Sequence, residues 1–250
     1  LHPRVRRQRQ MCIRDRSENG FGSYVYERYD KEQSYRYLKE YIYDKYKNSH
    51  YQITGKSTYL DERTKGIHES PRNMEFHVEN HKSSIRGVLT PSAFVGEEKH
   101  TAGLTVTLYE NMPCIDVKLS VINKPATEEP EAGWIALPFK TKSPEYRVGR
   151  IGSVVDPAKD LIEGSQFNYI WSNSGIMIKD KEYSVGVCPI DAPAFVLGDL
   201  DFMHYADTYE NPRSHVYFNL FNNRWNTNFA SFWNGNLTSD LLNDIRPQVP

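Results

Sequence analysis

The chain is richest in chemistry-bearing side chains between His215 and Asn236, HVYFNLFNNRWNTNFASFWNGN. Seven asparagines (Asn219, Asn222, Asn223, Asn226, Asn228, Asn234 and Asn236) are interleaved there with six Phe and Trp residues. Sugar is the ligand class that suits this mixture. An Asn amide offers two donors and an acceptor that match neighbouring hydroxyls, and an aromatic face covers the apolar C–H side of a pyranose. The same residues also have a purely structural use. Asn stabilises turns and Trp fills cores, so an Asn-rich strand edge beside packed aromatics needs no ligand.

Two further segments invite chemistry. SVVDPAKDLIEGS brings Asp156, Asp160 and Glu163 close enough for an acid–base pair. Its simpler reading is a two-turn helix with Asp156 as N-cap, Pro157 in first position and Gly164 as terminator. In HVENH, strand alternation would put His77, Glu79 and His81 on one face. Glu79 stands midway between the histidines rather than directly after the first, which departs from the zinc-protease pattern, and we expect no metal in this chain. His68, His100, His204 and His215 are scattered in sequence. No G-x-S-x-G elbow, phosphate-binding loop or dinucleotide glycine fingerprint occurs. Ser174-Gly175 in WSNSG reads as a hairpin turn.

Composition narrows the partners. With 250 residues, 38% of them hydrophobic, and a formal charge of -1, the chain suffices for one large domain or two small ones. The near balance of charge argues against a broad basic nucleic-acid surface. No apolar stretch approaches the roughly 20 residues that span a bilayer, so neither nucleic acid nor membrane is expected as a partner. Cys114 and Cys188 are free core thiols or one disulfide, and with Cys12 they make neither a disulfide framework nor a zinc ribbon. The compartment therefore stays open, and the sequon Asn236-Leu-Thr238 matters only in a secretory eukaryotic setting.

The first sixteen residues, LHPRVRRQRQMCIRDR, hold six arginines and lack the apolar centre of a secretory signal. MCIRDR resembles a recurrent read-through of sequencing-adapter DNA. Residues 1–16 are accordingly read as an artefactual or disordered leader, residues 17–250 as the domain, and the chain as a piece of a longer protein.

The elements that would carry these residues are mostly strands. GFGSYVYERY is β-prone, and Asp30 caps a helix in which Tyr35, Leu38, Ile42 and Tyr46 recur at helical spacing. Short strands and loops follow over residues 48–82. In TAGLTVTLYENMPCIDVKLSVINK, Leu104, Val106 and Leu108 alternate with threonines. Ile115, Val117, Leu119 and Val121 alternate with Asp, Lys and Ser, giving an antiparallel hairpin with one buried face and a turn over residues 110–113. Further strands are expected over 133–140, 146–155, 167–173, 175–179, 183–189, 194–200 and 215–221. Many strands, short turns and one N-terminal helix predict an all-β chain, a large antiparallel β-sandwich. The helices that a parallel sheet needs are missing.

Four stretches, FGSYVYERY, EAGWIALPFK, GRIGSVVDPAKDLIEGSQFNYIW and HVYFNLFNNRWNTNF, together resemble the C-terminal β-sandwich region of glycoside hydrolase family 38, the α-mannosidase family. The resemblance covers most of residues 21–236. It implies a galactose-mutarotase-like supersandwich and carbohydrate, suspected to be a mannose-type glycan, as the ligand. It also implies that catalytic zinc and an aspartate nucleophile reside on an N-terminal barrel missing from this chain, which is not expected to be catalytic alone. A retaining glycosidase needs two carboxyl groups roughly 5 Å apart, and the sequence offers no such pair. In the family an S-G-A-Y-like strand sets a tyrosine at the edge of the substrate pocket. Here Gly22, Ser23 and Tyr24 match while Phe21 replaces the first serine, so Tyr24 is the first substrate-binding candidate. Asn222, Asn223, Arg224, Trp225, Asn226 and Asn228, expected along the barrel-facing edge, are the others, with the Arg224 fork suited to hydroxyls or carbonyls.

Two rival readings remain. A stand-alone carbohydrate-binding module would present the Asn and aromatic run as an exposed platform. A mutarotase-like epimerase would need a His acid and a Glu or Asp base converging on an anomeric carbon.

Overall fold

The computed structural model describes residues 19–42, 64–71, 75–81, 83–90, 94–95, 100–127, 129–210, 212 and 214–224. Over these residues the chain is mainly β, with three antiparallel sheets and one short helix. It divides into two compact units, one of Tyr24–Gly133 and Asn222–Pro250, the other of Leu1–Ser23 and Trp134–Phe221.

The unit that holds Tyr24 begins with β1 (Ser23–Arg28), whose aromatic and β-branched residues favour a pleated strand. Asp30 then closes a capping box. Its Oδ1 accepts from Gln33 N–H at 2.8 Å while Gln33 Oε1 accepts from Asp30 N–H at 3.0 Å, fixing the start of α1 (Lys31–Ile42). Ser34, Tyr37 and Leu38 form the buried stripe of α1, and Tyr35, expected inward, is exposed. Leu38 is buried as the helical spacing predicts, while the Ile42 side chain and Tyr46 lie outside the described residues. β2 (Ile67–Glu69) pairs antiparallel with β1.

The same unit contains a five-stranded sheet of β3 (Glu75–His81), β4 (Ser84–Thr90), β5 (Phe94–Val95), β6 (His100–Tyr109) and β7 (Ile115–Ile122). β6 is central, with β4 and β5 along one edge and β7 along the other. The β6–β7 register, Leu104 opposite Leu119, Val106 opposite Val117 and Leu108 opposite Ile115, is the one that the alternation predicts. The expected single buried face is only half true. His100, Ala102 and Leu104 are buried, but farther along the same face Phe76, Val78, Ile85, Leu108 and Ile115 are all exposed.

β8 (Glu131–Pro138) leads into the other unit, which packs as a sandwich. β9 (Glu145–Arg150) and β10 (Ser153–Val155) form a hairpin where one long strand was expected, because Ile151 and Gly152 both adopt positive φ, 40° and 77°. β11 (Tyr169–Trp171) pairs with β14 (Ala194–Leu197), and β12 (Gly175–Lys179) pairs with β9 and with β13 (Ser184–Val187). WSNSG is therefore not a hairpin turn. It carries the chain from one sheet to another, held by Ser172 Oγ, which donates to a backbone carbonyl and accepts from Gly175 N–H at 2.8 Å. β15 (His215–Asn222) pairs with β14. Leu137, Tyr146, Val148, Ile170, Ile176, Ile178, Phe195, Leu197, Val216 and Phe218 interdigitate as the core.

The expected helix at Asp156 is absent. Asp156 Oδ1 does accept from Ala158 N–H, but Asp160 Oδ2 folds back onto Asp156 N–H at 2.6 Å, and the segment makes turns rather than a helix. Cys114 and Cys188 are free and exposed, so they are neither core thiols nor a disulfide.

Candidate functional site

Strand alternation points Tyr24 and Tyr26 to the same face of β1. There they meet His100, the first residue of β6. Tyr24 Oη lies 2.9 Å from His100 Nε2, and both tyrosine rings stand edge-on to the imidazole, with centroids 5.5 Å and 5.1 Å away. Tyr26 Oη donates to Glu131 Oε2 at 2.8 Å, and Lys124 Nζ reaches the same oxygen at 2.7 Å. A chain of polar groups thus runs from Tyr24 through His100 and Tyr26 to Glu131 and Lys124.

Every member of this chain is largely removed from solvent, with His100 at 0% and Glu131 at 3% exposure. Burial, and secondarily the charge of Lys124, lower the His100 pKa to about 4. Burial, with the Glu131 carboxylate as the lesser cause, pushes the Tyr24 phenol far above its ordinary range. The imidazole is therefore neutral and shares one hydrogen bond between Nε2 and the Tyr24 hydroxyl, its direction set by the tautomer, while Nδ1 meets no hydrogen-bond partner among the described residues.

The Asn-rich run arrives at the same place. Asn223 Oδ1 accepts from Glu131 N–H at 2.6 Å, its Nδ2 donates to Thr127 O at 2.9 Å, and its own N–H donates to Glu131 O at 3.1 Å. Arg224 is buried, its guanidinium 3.9 Å from the centre of the Tyr37 ring on α1. Asn222 closes β15 half-buried. Tyr24 and Asn223 thus belong to one polar interior, and Arg224 turns its guanidinium onto the helix beside it. Trp225, Asn226 and Asn228 lie outside the described residues, as does the leader over residues 1–16. Earlier in the run, in the sandwich unit, Asn219 accepts from Tyr169 Oη at 3.2 Å and donates to Phe221 O at 3.0 Å.

His100, Glu131 and Lys124 were missed by sequence reasoning. Each is isolated in sequence, and only the pairing of strands brings them to Tyr24 and Tyr26. A His and a Glu flanking one tyrosine look like the parts of an epimerase, but acid–base catalysis requires reach to a substrate, and these two groups are enclosed. The Glu27 carboxylate, on the opposite face of β1, accepts from Tyr29 Oη at 2.6 Å and meets His68 Nδ1 at 3.1 Å.

Two further carboxylates that the sequence singles out are occupied. Asp156 pairs with Arg147 at 3.0 Å and with Lys159 at 3.4 Å. In HVENH, Glu79 lies 3.7 Å from Arg86 and 3.6 Å from His81. Among the described residues no group of three or more His, Cys, Asp or Glu side chains is arranged to hold a metal ion, and no helix is long and apolar enough to cross a membrane.

No protein-family model matches the chain, and no curated protein matches it significantly.

Proposed function

We propose that this chain is the accessory β-sandwich part of a family 38-like glycosidase, of the galactose-mutarotase-like supersandwich class. In this reading a catalytic barrel of the same polypeptide packs on the uncovered end of the five-stranded sheet. The observation that carries the docking role is the row of exposed Phe76, Val78, Ile85, Leu108 and Ile115 on one sheet face. A contiguous exposed apolar patch marks an interaction site. This one is mainly aliphatic, which suits a protein surface better than a sugar, because Val, Ile and Leu offer neither hydroxyl partners nor an aromatic face.

The carbohydrate role rests on the resemblance of the four sequence stretches. Zinc and the nucleophile belong to the barrel, and this chain supplies no catalysis. Within the reading, Asn223 and Arg224 anchor the base of the run, Tyr24 backs it through His100, and Asn222, Trp225, Asn226 and Asn228 offer the sugar contacts. The enclosure of His100 and Glu131 favours this over an epimerase.

The test is calorimetric titration of the chain with mannose and manno-oligosaccharides, in wild type and Trp225→Ala, beside binding of an apolar fluorescent dye. The expected result is a folded protein with no saturable sugar heat and a dye signal that Leu108→Glu/Ile115→Glu abolishes. Saturable binding that Trp225→Ala removes would instead establish a stand-alone carbohydrate-binding module. A dye signal unchanged in the double variant would remove the docking face.

A further inference from the structure

All seven residues of β3, Glu75-Phe76-His77-Val78-Glu79-Asn80-His81, are exposed, and the strand stands at the end of its sheet's pairing order. An exposed edge strand is a template for another strand. Its sequence is complementary to itself when read in reverse. Antiparallel pairing about Val78 sets Glu75 opposite His81, Phe76 opposite Asn80, His77 opposite Glu79 and Val78 opposite Val78.

We infer that β3 is a self-pairing seam through which two copies of this chain join their five-stranded sheets around a two-fold axis at Val78. This inference is independent of the carbohydrate reading. A two-fold axis normal to the sheet keeps each copy's apolar face on the same side, so opposing residues must have the same parity. Shifting the centre to residue 77 would oppose Glu75 with Glu79 and His77 with itself. Shifting it to residue 79 would oppose His77 with His81 and Glu79 with itself. Opposite charges across strands favour pairing and like charges oppose it, so charge selects the Val78 centre among the long registers.

Within one copy His77 Nε2 lies 3.8 Å from Glu75 and His81 Nε2 lies 3.6 Å from Glu79. The seam would turn these neighbours along one strand into a checkerboard, each Glu beside a His both along and across the strands. On the other face the row Val78–Gly87–Val106–Val117, set by the pairing of β3, β4, β6 and β7, would continue through the axis into the partner copy. The Phe76 ring already leans over Gly87, whose missing side chain gives it room.

Two measurements on the whole chain test this. The first is light scattering with size exclusion over a concentration series. Wild type is expected to dimerise. His77→Glu/His81→Glu and the all-lysine variant Glu75→Lys/His77→Lys/Glu79→Lys/His81→Lys are each expected to be monomeric, because like charges then face one another. An equimolar mixture of the two variants is expected to recover the dimer. The second is oxidative cross-linking in a background with Cys12, Cys114 and Cys188 changed to Ser. Only the residue on the axis faces itself, and opposing Cα atoms in an antiparallel pair, about 4.5–5.5 Å apart, lie within disulfide reach. Val78→Cys should therefore cross-link readily and Phe76→Cys should not. A monomeric wild type, charge variants that stay dimeric, or equal cross-linking at the two positions would each overturn the seam.

Discussion

The Tyr24 hydroxyl is hydrogen-bonded to His100 Nε2 at 2.9 Å in an interior that keeps the imidazole neutral. The His100 pKa falls from its ordinary 6.5 to about 4 on folding. Between those values the unfolded chain holds a proton that the folded chain lacks, so acid favours unfolding. The stability held above pH 6.5 should fall as pH drops through this window and level off below 4, by about 3 kcal/mol in total. His100→Gln keeps an acceptor for Tyr24 but does not titrate. Urea unfolding from pH 7 to pH 4 should give it a shallower decline than wild type, and parallel declines would refute the assignment.

Ile151 stands at φ 40° beside Gly152 at φ 77°, with 90% of its surface exposed. A β-branched residue is a poor occupant of the left-handed region, which costs an L-residue roughly 1–2 kcal/mol, and two-residue hairpins of this shape favour Asn-Gly. Ile151→Asn surrenders little burial and leaves the bond from the residue 151 N–H to Asn173 Oδ1 intact. Thermal melting should rise by about 2–4 °C for a gain of about 1 kcal/mol in a chain of this size. An unchanged or lower midpoint would show that the turn carries no strain.

Asn223 fastens the end of β15 to the start of β8 by giving one amide edge to Thr127 O and the other to Glu131 N–H. Asn223→Ala leaves both backbone groups without that partner and should cost about 1–3 kcal/mol in urea unfolding. Asn223→Asp should not restore it, since a carboxylate oxygen would face the Thr127 carbonyl. Stability equal to wild type in both variants would leave the side chain free for a ligand instead.

These sites show where sequence reasoning reaches and where it stops. The Asp30 cap, the β6–β7 register and most strand positions follow from periods and turn residues that act over a few neighbours. Tyr24 and the Asn-rich run stood out by residue type, yet their bonding to His100, Glu131 and Thr127 depends on pairing across 76, 92 and 96 positions. No local pattern encodes such separations. The Ile151 turn and the unformed helix at Asp156 failed for another reason. At the turn a distant contact overrides local preference, since Asn173 holds it; at Asp156 the competitor is local, Asp160 folding back onto the Asp156 N–H while Arg147 pairs with the Asp156 carboxylate. Exposure of Leu108 and Ile115 was illegible because alternation shows which face is apolar and not whether anything covers it.

Glu131 and Lys124 form a largely buried ion pair, with Tyr26 donating to the carboxylate and Lys124 Nζ also donating to Pro125 O. Removing one charge from such a pair strands the other, whereas removing both is often close to neutral. Glu131→Gln keeps an oxygen for Tyr26 but leaves the ammonium uncompensated, and it should cost about 3–5 kcal/mol. Lys124→Met in the same chain should recover most of that loss, since its side chain fills the space of the lysine stem. A double-mutant cycle by urea denaturation measures the coupling directly. Strong coupling would place the pair in the fold's interior network, as its 2.7 Å contact and low exposure imply. Additive losses would mean that solvent reaches the carboxylate, and Glu131 would then become a candidate acid, beside His100, for the epimerase alternative.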